Sequence, residues 1–135
     1  MELITQEIRT KLIANWRIED SAYKDPFPVL KLFDPFGVAT WLITEMSEEQ
    51  PDLLFGLCDL GFQCPELGYV SLEEITSVML SGRPRIERDQ FFKADFPLSV
   101  YAHAARTHGE ITLNHKALLQ AKAGLEAEKR RQKRR

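Results

Sequence analysis

The sequence predicts an α+β protein in which an antiparallel meander of four to five strands is combined with an N-terminal helix and C-terminal helices. Three observations support this prediction. Apolar residues recur at helical spacing near the start, four consecutive β-type segments follow, and helical patterns return after residue 96. The links between the β-type segments are too short for the crossovers of parallel strands, so we expect antiparallel pairing.

The N-terminal helix is predicted from an apolar stripe. Its members recur every four residues and are Ile4, Ile8, Leu12 and Trp16. Thr5 is expected to cap this helix, because its hydroxyl can accept a hydrogen bond from a first-turn amide. Pro26 and Pro28 then stop regular structure, since proline has no backbone donor.

Four β-type segments follow, at residues 29–33, 38–46, 53–60 and 67–70. The first two are joined by Asp34-Pro35-Phe36-Gly37, which has Asp, Pro and Gly at the positions that a tight turn favours. We therefore expect these two strands to form a hairpin. The third segment is apolar on both faces, which predicts a position inside the sheet.

Helices are expected to close the domain. Ser71 and Glu74 have the spacing of a capping box and predict a short helix after the fourth strand. Residues 85–94 are interpreted as a fifth strand or an extended segment. A helix is predicted over residues 97–108, with proline as its first residue, and Asn114 is expected to cap a last helix.

Composition predicts one folded domain. The chain has 135 residues, 44% hydrophobic and 28% charged, with a formal net charge of -2. We expect a domain over residues 1–113, followed by a C-terminal helix and basic tail over residues 114–135. No apolar run reaches the length of a membrane helix and the start lacks the pattern of a signal peptide, so no membrane partner is expected. The 2 cysteines are too few for a disulfide scaffold, which favours the cytoplasm.

The net charge conceals an uneven distribution. Residues 1–120 carry 11 basic and 18 acidic residues, and residues 121–135 carry 7 basic and 2 acidic ones. Residues 21–82 carry 10 acidic and 2 basic residues, a net charge of -8. An acidic β surface of this kind can bind a basic protein, or it can simply keep the protein in solution. The acidic positions that would test binding are Glu45, Glu48, Glu49 and Asp52.

A second hypothesis is a polar pocket in the sheet. Polar residues interrupt the apolar segments at Cys58, Asp59, Glu66, Tyr69, Glu87, Arg88 and Asp89. Carboxylates in different environments can perform general acid–base catalysis, and an arginine can bind an anion. The alternatives are local: Asp59 bonded to turn amides, Cys58 buried as a small apolar residue, and residues 87–89 forming a charged strand edge.

No metal or cofactor is predicted. Five residues separate Cys58 from Cys64, more than the two to four that are usual between zinc ligands. The three histidines lack the four-residue spacing that places two imidazoles on one helix face. The glycine-rich motifs that bind nucleotides are missing from the sequence as well.

The C-terminal tail supports a third hypothesis. Its cations are Lys129, Arg130, Arg131, Lys133, Arg134 and Arg135. Such a cluster can bind phosphates at low salt, and without interleaved aromatic residues the binding would lack sequence specificity. The alternatives are a solvated end and an end that folds back on the acidic part of the chain.

The middle of the chain resembles a family of small bacterial proteins of unknown function. The resemblance is carried by Phe55-Gly56-Leu57-Cys58-Asp59-Leu60-Gly61 and by Pro65-Glu66-Leu67-Gly68-Tyr69-Val70-Ser71-Leu72, and it covers about residues 28–103. Members of that family are frequent on plasmids, integrative elements and phages, often beside antirestriction and conjugation genes. The resemblance therefore implies a role in the biology of mobile genetic elements and implies no particular reaction.

These observations predict a non-enzymatic accessory protein of a mobile genetic element. Its acidic β surface would bind a protein partner. Proteins of host defence and proteins that handle nucleic acid are two classes to which this partner could belong. One alternative is a small enzyme with a carboxylate pocket around Asp59, Glu66 and Glu87. The other is weak, non-specific binding of nucleic acid by the tail.

Overall fold

The computed structural model describes residues 2–19 and 24–134. The helices and strands in chain order are α1 Gln6–Trp16, β1 Leu30–Phe33, β2 Thr40–Met46, β3 Leu53–Asp59, β4 Glu66–Ser71, α2 Leu72–Thr76, β5 Met79–Leu80, β6 Arg83–Pro84, β7 Glu87–Arg88, α3 Leu98–His108 and α4 His115–Lys133. Five strands form an antiparallel sheet in the order β4-β3-β2-β1-β7, and β5 pairs with β6 in a separate hairpin. The predicted α+β meander is confirmed.

Helices cover both faces of the sheet. On one face, here called the α1 face, Leu12 of α1 packs in one cluster with Leu32 and Ile43 of the sheet, all fully buried. On the other, here called the α3/α4 face, Leu42 and Leu57 of the sheet pack with residues of α3 and α4. A strand buried on both faces carries apolar residues on both of them, which explains the apolar side chains on each face of β2 and β3.

A β-bulge in β2 determines which face its end presents. Ile43 pairs with Gly56 but Glu45 pairs with Phe55, so Thr44 is the extra residue. Thr44 is fully buried, and its carbonyl accepts a hydrogen bond of 2.9 Å from Asn15 of α1. Because side chains alternate along a strand, this extra residue places Glu45 on the α3/α4 face instead of the α1 face.

Three predicted helix caps are confirmed. The side chains of Thr5, Ser71 and Asn114 each accept a hydrogen bond from the backbone amide three residues later, at 3.2, 3.2 and 3.0 Å. Pro97, predicted as the first helical residue, is instead the N-cap of α3 and has extended backbone angles. Its fixed φ suits the residue just before the helix as well as the first residue inside it.

The predicted fifth strand is much shorter than residues 85–94. Only Glu87–Arg88 pairs with β1, because the chain turns immediately afterwards. The carboxylate of Asp89 accepts a hydrogen bond of 2.9 Å from the Phe91 amide, which is the local geometry of an Asx turn. This turn ends the pairing after two residues.

The last helix begins in the core and ends outside it. Leu118 and Ala121 of α4 are buried against α3, so the first half of α4 shares the core of the sheet domain. From Glu128 to Arg134 every described residue is exposed. Among the described residues, no helix is both long enough and apolar enough to cross a membrane.

Candidate functional site

The structure does not bring the seven candidate polar residues into one pocket. Glu66 and Tyr69 lie on β4, whereas Glu87 and Arg88 lie on β7, and these strands are the two opposite edges of the sheet. Four strand spacings separate them, a distance of about 19 Å. The two groups therefore cannot act on one small substrate in this arrangement.

Asp59 holds backbone in place. It is 4% exposed, and its two carboxylate oxygens accept hydrogen bonds of 2.9 Å from the amides of Gly61 and Ile111. One bond shapes the turn after β3, and the other anchors the segment between α3 and α4. This geometry agrees with the alternative considered for Asp59 from the sequence, in which its carboxylate accepts hydrogen bonds from turn amides.

Cys58 lies directly opposite Glu66 in the β3–β4 pair. Burial, together with the neighbouring Glu66 carboxylate, raises the pKa of the Cys58 thiol to about 11. The thiol is therefore protonated at neutral pH and is a poor nucleophile. Cys64 is exposed in the following turn and, with Cys58, lines a small cavity of about 170 Å³. Within the described parts of the chain, no three His, Cys, Asp or Glu side chains are arranged to hold a metal ion.

Arg88 and Asp89 lie in different surroundings at the β7 edge. Asp89 forms a salt bridge of 3.2 Å with Lys31. Burial favours a higher pKa for the Asp89 carboxyl, but hydrogen bonds from the Phe91 amide and Lys31 outweigh it and lower the pKa. The Nε of Arg88 is buried without a hydrogen-bond partner among the described residues, beside a cavity of about 210 Å³ that Lys11 of α1 also lines.

Glu45 belongs to a partly buried ion pair. Its carboxylate lies 2.5 Å from Lys24 Nζ, and the two side chains are 10% and 15% exposed. The bulge at Thr44 makes this contact possible by directing Glu45 to the α3/α4 face. Glu45 is therefore not part of an accessible acidic surface.

Three further acidic residues are also engaged within the chain. They are Glu48, Glu49 and Asp52. Glu48 pairs with Arg17, and Glu49 accepts a hydrogen bond of 3.2 Å from Trp16 Nε1. Asp52 accepts 2.7 Å hydrogen bonds from Ser71 Oγ and from the first turn of α2, and these bonds lower the pKa of its carboxyl. The acidic surface expected around residues 45–52 is thus largely occupied with internal contacts.

The outer edge of β4 offers free backbone groups. Within the described residues β4 pairs only with β3. The amide of Leu72 donates to Asp52 O at 2.9 Å, and alternate residues of an antiparallel strand bond to the same neighbour. The even-numbered residues of β4 therefore bond to β3, and the amides and carbonyls of Leu67 and Tyr69 point outwards.

A cleft of about 650 Å³ adjoins this edge on the α3/α4 face. We call it the β4 cleft; its apolar lining is Phe55, Leu67, Leu98 and Leu125. The Lys24–Glu45 pair and Lys129 of α4 also line it. Tyr69 continues the apolar surface along the strand: it is 61% exposed and packs edge-on against Phe55, with 5.0 Å between ring centroids.

Three exposed carboxylates lie beside the same edge. Glu66, Glu73 and Glu74 are exposed, and none of them forms a salt bridge within the described parts of the chain. Residues 66–76 contain no lysine or arginine. Sequence reasoning located the acidic region correctly along the chain but could not tell paired carboxylates from free ones.

The fold and this edge define a class: a small α+β protein with helices on both faces of its sheet, in which the outer edge of β4 has no strand partner among the described residues. Its candidate polar residues are dispersed and do not form a catalytic constellation. The chain belongs to the family described as "Protein of unknown function (DUF2958)", whose model matches residues 3–112. The match runs from just before α1 to just before α4. No curated protein and no solved structure matches the chain.

Proposed function

We propose that this protein is a non-enzymatic accessory protein of a mobile genetic element and that it binds a protein partner at the β4 edge. The observation that carries the proposal is the uncovered edge with outward amides at Leu67 and Tyr69, beside an apolar cleft. Natural proteins usually cover or charge such an edge, because it readily pairs with another strand. The mobile-element context rests on the resemblance described above.

Binding at this edge requires a partner segment of a particular chemistry. An extended segment would add to β4 as a sixth strand, with main-chain hydrogen bonds to the outward groups of Leu67 and Tyr69. One apolar side chain of that segment would enter the β4 cleft, since alternate residues of the added strand face that side. Basic residues would flank it, because the exposed glutamates of residues 66–76 attract positive charge and speed the encounter.

The test is to compare Leu67→Pro with Leu67→Ala. Both variants remove the leucine side chain, but only proline removes an outward amide, and that amide makes no bond to β3. We expect Leu67→Pro to weaken capture of the partner from host extract by about tenfold more than Leu67→Ala does. Quantitative mass spectrometry of captured proteins measures the difference.

A charge-reversed variant provides the second arm. This triple variant is Glu66→Lys/Glu73→Lys/Glu74→Lys. It should weaken binding of the same captured protein and make the affinity less dependent on salt concentration. Thermal unfolding of each variant, compared with the unchanged protein, tests whether the domain is still folded. A captured protein that binds all variants equally well would refute binding at the β4 edge.

The exposed end of α4 supports a second candidate function, which is non-specific binding of nucleic acid. The helix continues through Lys133, and the described cations of the tail are exposed and form no salt bridge with described residues. A regular helix holds these charges at fixed spacing for phosphate contacts.

Removal of residues 129–135 is expected to weaken this binding strongly and to flatten its dependence on salt. With six cations deleted, the slope of log Kobs against log salt for duplex DNA should become shallower by about 5. Fluorescence anisotropy at several salt concentrations measures the slope. The matched control is Lys116→Gln/Lys122→Gln, which removes two exposed α4 lysines outside the tail. A truncated chain that keeps the original slope would disprove a role for the tail.

A further inference from the structure

A second large cleft lies on the α1 face, away from β4. It has a volume of about 640 Å³ and lies among the N-terminal residues, α1, α2 and the segment from β6 to β7. Its floor is apolar: Ile4 and Ile86 are each 5% exposed, and Leu72 lies beside them. This volume and lining are typical of small-molecule sites. It shares no lining residue with the β4 cleft.

Three arginines line this cleft, which we call the arginine cleft. They are Arg9, Arg83 and Arg85. Arg85 is neutralised by Asp34, with Nε 2.7 Å from the carboxylate. Arg9 is half-buried, and its Nη1 donates to the sulfur of Met46 at 3.4 Å, a weak acceptor that carries no charge. Within the described residues neither Arg9 nor Arg83 forms a salt bridge.

The acidic residues of the lining do not cancel these charges. Glu87 pairs with Phe33 across β7 and β1, whereas Arg88 pairs with Leu32 of the α1-face core. Since side chains alternate between faces, Glu87 points to the α3/α4 face, away from the cleft floor. Glu2, which also lines the cleft, is exposed, so solvent screens its charge. The cleft thus joins an apolar floor to two guanidinium groups that form no salt bridge with any described residue.

We propose that the arginine cleft binds a small organic anion with an apolar body. Arg9 and Arg83 would hold its carboxylate or phosphate group, because guanidinium forms charge-assisted, often bidentate hydrogen bonds with such groups. The body would cover Ile4 and Ile86. Phe36, 68% exposed beneath Arg85 at 6.0 Å, would flank the ligand at the mouth. This inference is independent of partner binding at β4.

Three matched probes test the ligand chemistry on the full chain: hexanoate, hexanamide and acetate. Hexanamide keeps the body without the charge, and acetate keeps the charge with only one methyl group. In a proton–nitrogen NMR titration we expect hexanoate to bind with a Kd of about 1 mM and the other two at least tenfold more weakly. The shifted amides should belong to residues that line the cleft.

Arginine variants test the placement. Arg9→Gln/Arg83→Gln should weaken hexanoate binding by about tenfold or more, whereas Arg106→Gln, at an exposed position on α3, should leave it unchanged. If the double variant is unfolded in a thermal scan, Arg83→Gln alone provides the test, because Arg83 is exposed. Any one of four results would overturn the proposal. They are equal binding of hexanoate and hexanamide, chemical-shift changes elsewhere on the protein, no binding by hexanoate, and unchanged affinity in the folded arginine variants.

Discussion

We expect Gly56→Ala to lower the free energy of unfolding by about 3 kcal/mol. A Cβ atom at Gly56 would lie 2.1 Å from the carbonyl oxygen of Leu42 and 2.9 Å from Cα of Ile43. Both are backbone atoms of β2 next to the bulge, so neither can move aside as a flexible side chain can. The methyl group would force β2 and β3 apart inside the sheet.

Gly68→Ala is the matched control for this prediction. Gly68 pairs with Gly56 on the neighbouring strand, but a Cβ atom there meets no atom within 4 Å. Its effect should be small, since only the difference in backbone entropy and strand preference remains. Chemical denaturation of both variants measures the difference. Similar stabilities for the two variants would show that the close approach at Gly56 does not constrain the sheet.

We expect Lys24→Met to lower the free energy of unfolding by about 3 kcal/mol at neutral pH. The substitution leaves the Glu45 carboxylate, 10% exposed in the native protein, without its cation. A largely buried carboxylate without its cation is costly, and the bulge at Thr44 keeps this side chain on the α3/α4 face.

Two further variants separate this effect from general damage. Lys24→Met/Glu45→Met removes both charges and should recover much of the lost stability, because no buried charge remains unpaired. Lys11→Met breaks the Lys11–Glu7 pair of α1, whose side chains are 61% and 79% exposed, and should change stability by less than about 0.5 kcal/mol. A double variant as unstable as Lys24→Met would contradict the ion-pair explanation.

Interactions between residues near in sequence were predictable. The caps at Thr5, Ser71 and Asn114 join groups only three residues apart, so local chemistry is sufficient to specify them. The turn after β1 and the short links between β1 and β4 are equally local and predict an antiparallel meander. The separate β5–β6 hairpin and the early end of β7 depend on turn geometry that alternating hydrophobicity does not record.

The candidate site was predictable only as a set of residues. The sequence predicted Asp59, Glu66 and Glu87 as polar residues among apolar segments, and each of them lies in a strand of the sheet. Their mutual distances follow from strand order, which places β7 beside β1 and leaves β4 at the opposite edge. Pairing across the sheet joins residues far apart in the chain, and composition and periodicity contain no information on it.

The sequence by itself determined the main helices and strands, three of the helix caps and the acidic character of residues 21–82. Only the tertiary structure decided which acidic side chains are engaged in contacts within the protein. One extra residue at Thr44 turns Glu45 inward toward Lys24, and Asp52 accepts hydrogen bonds from Ser71 and the first turn of α2. Glu66, in contrast, is exposed on β4 and forms no salt bridge with a described residue. The physical reason is that charge is a property of a residue, whereas its exposure and pairing depend on neighbours that the fold brings from elsewhere in the chain.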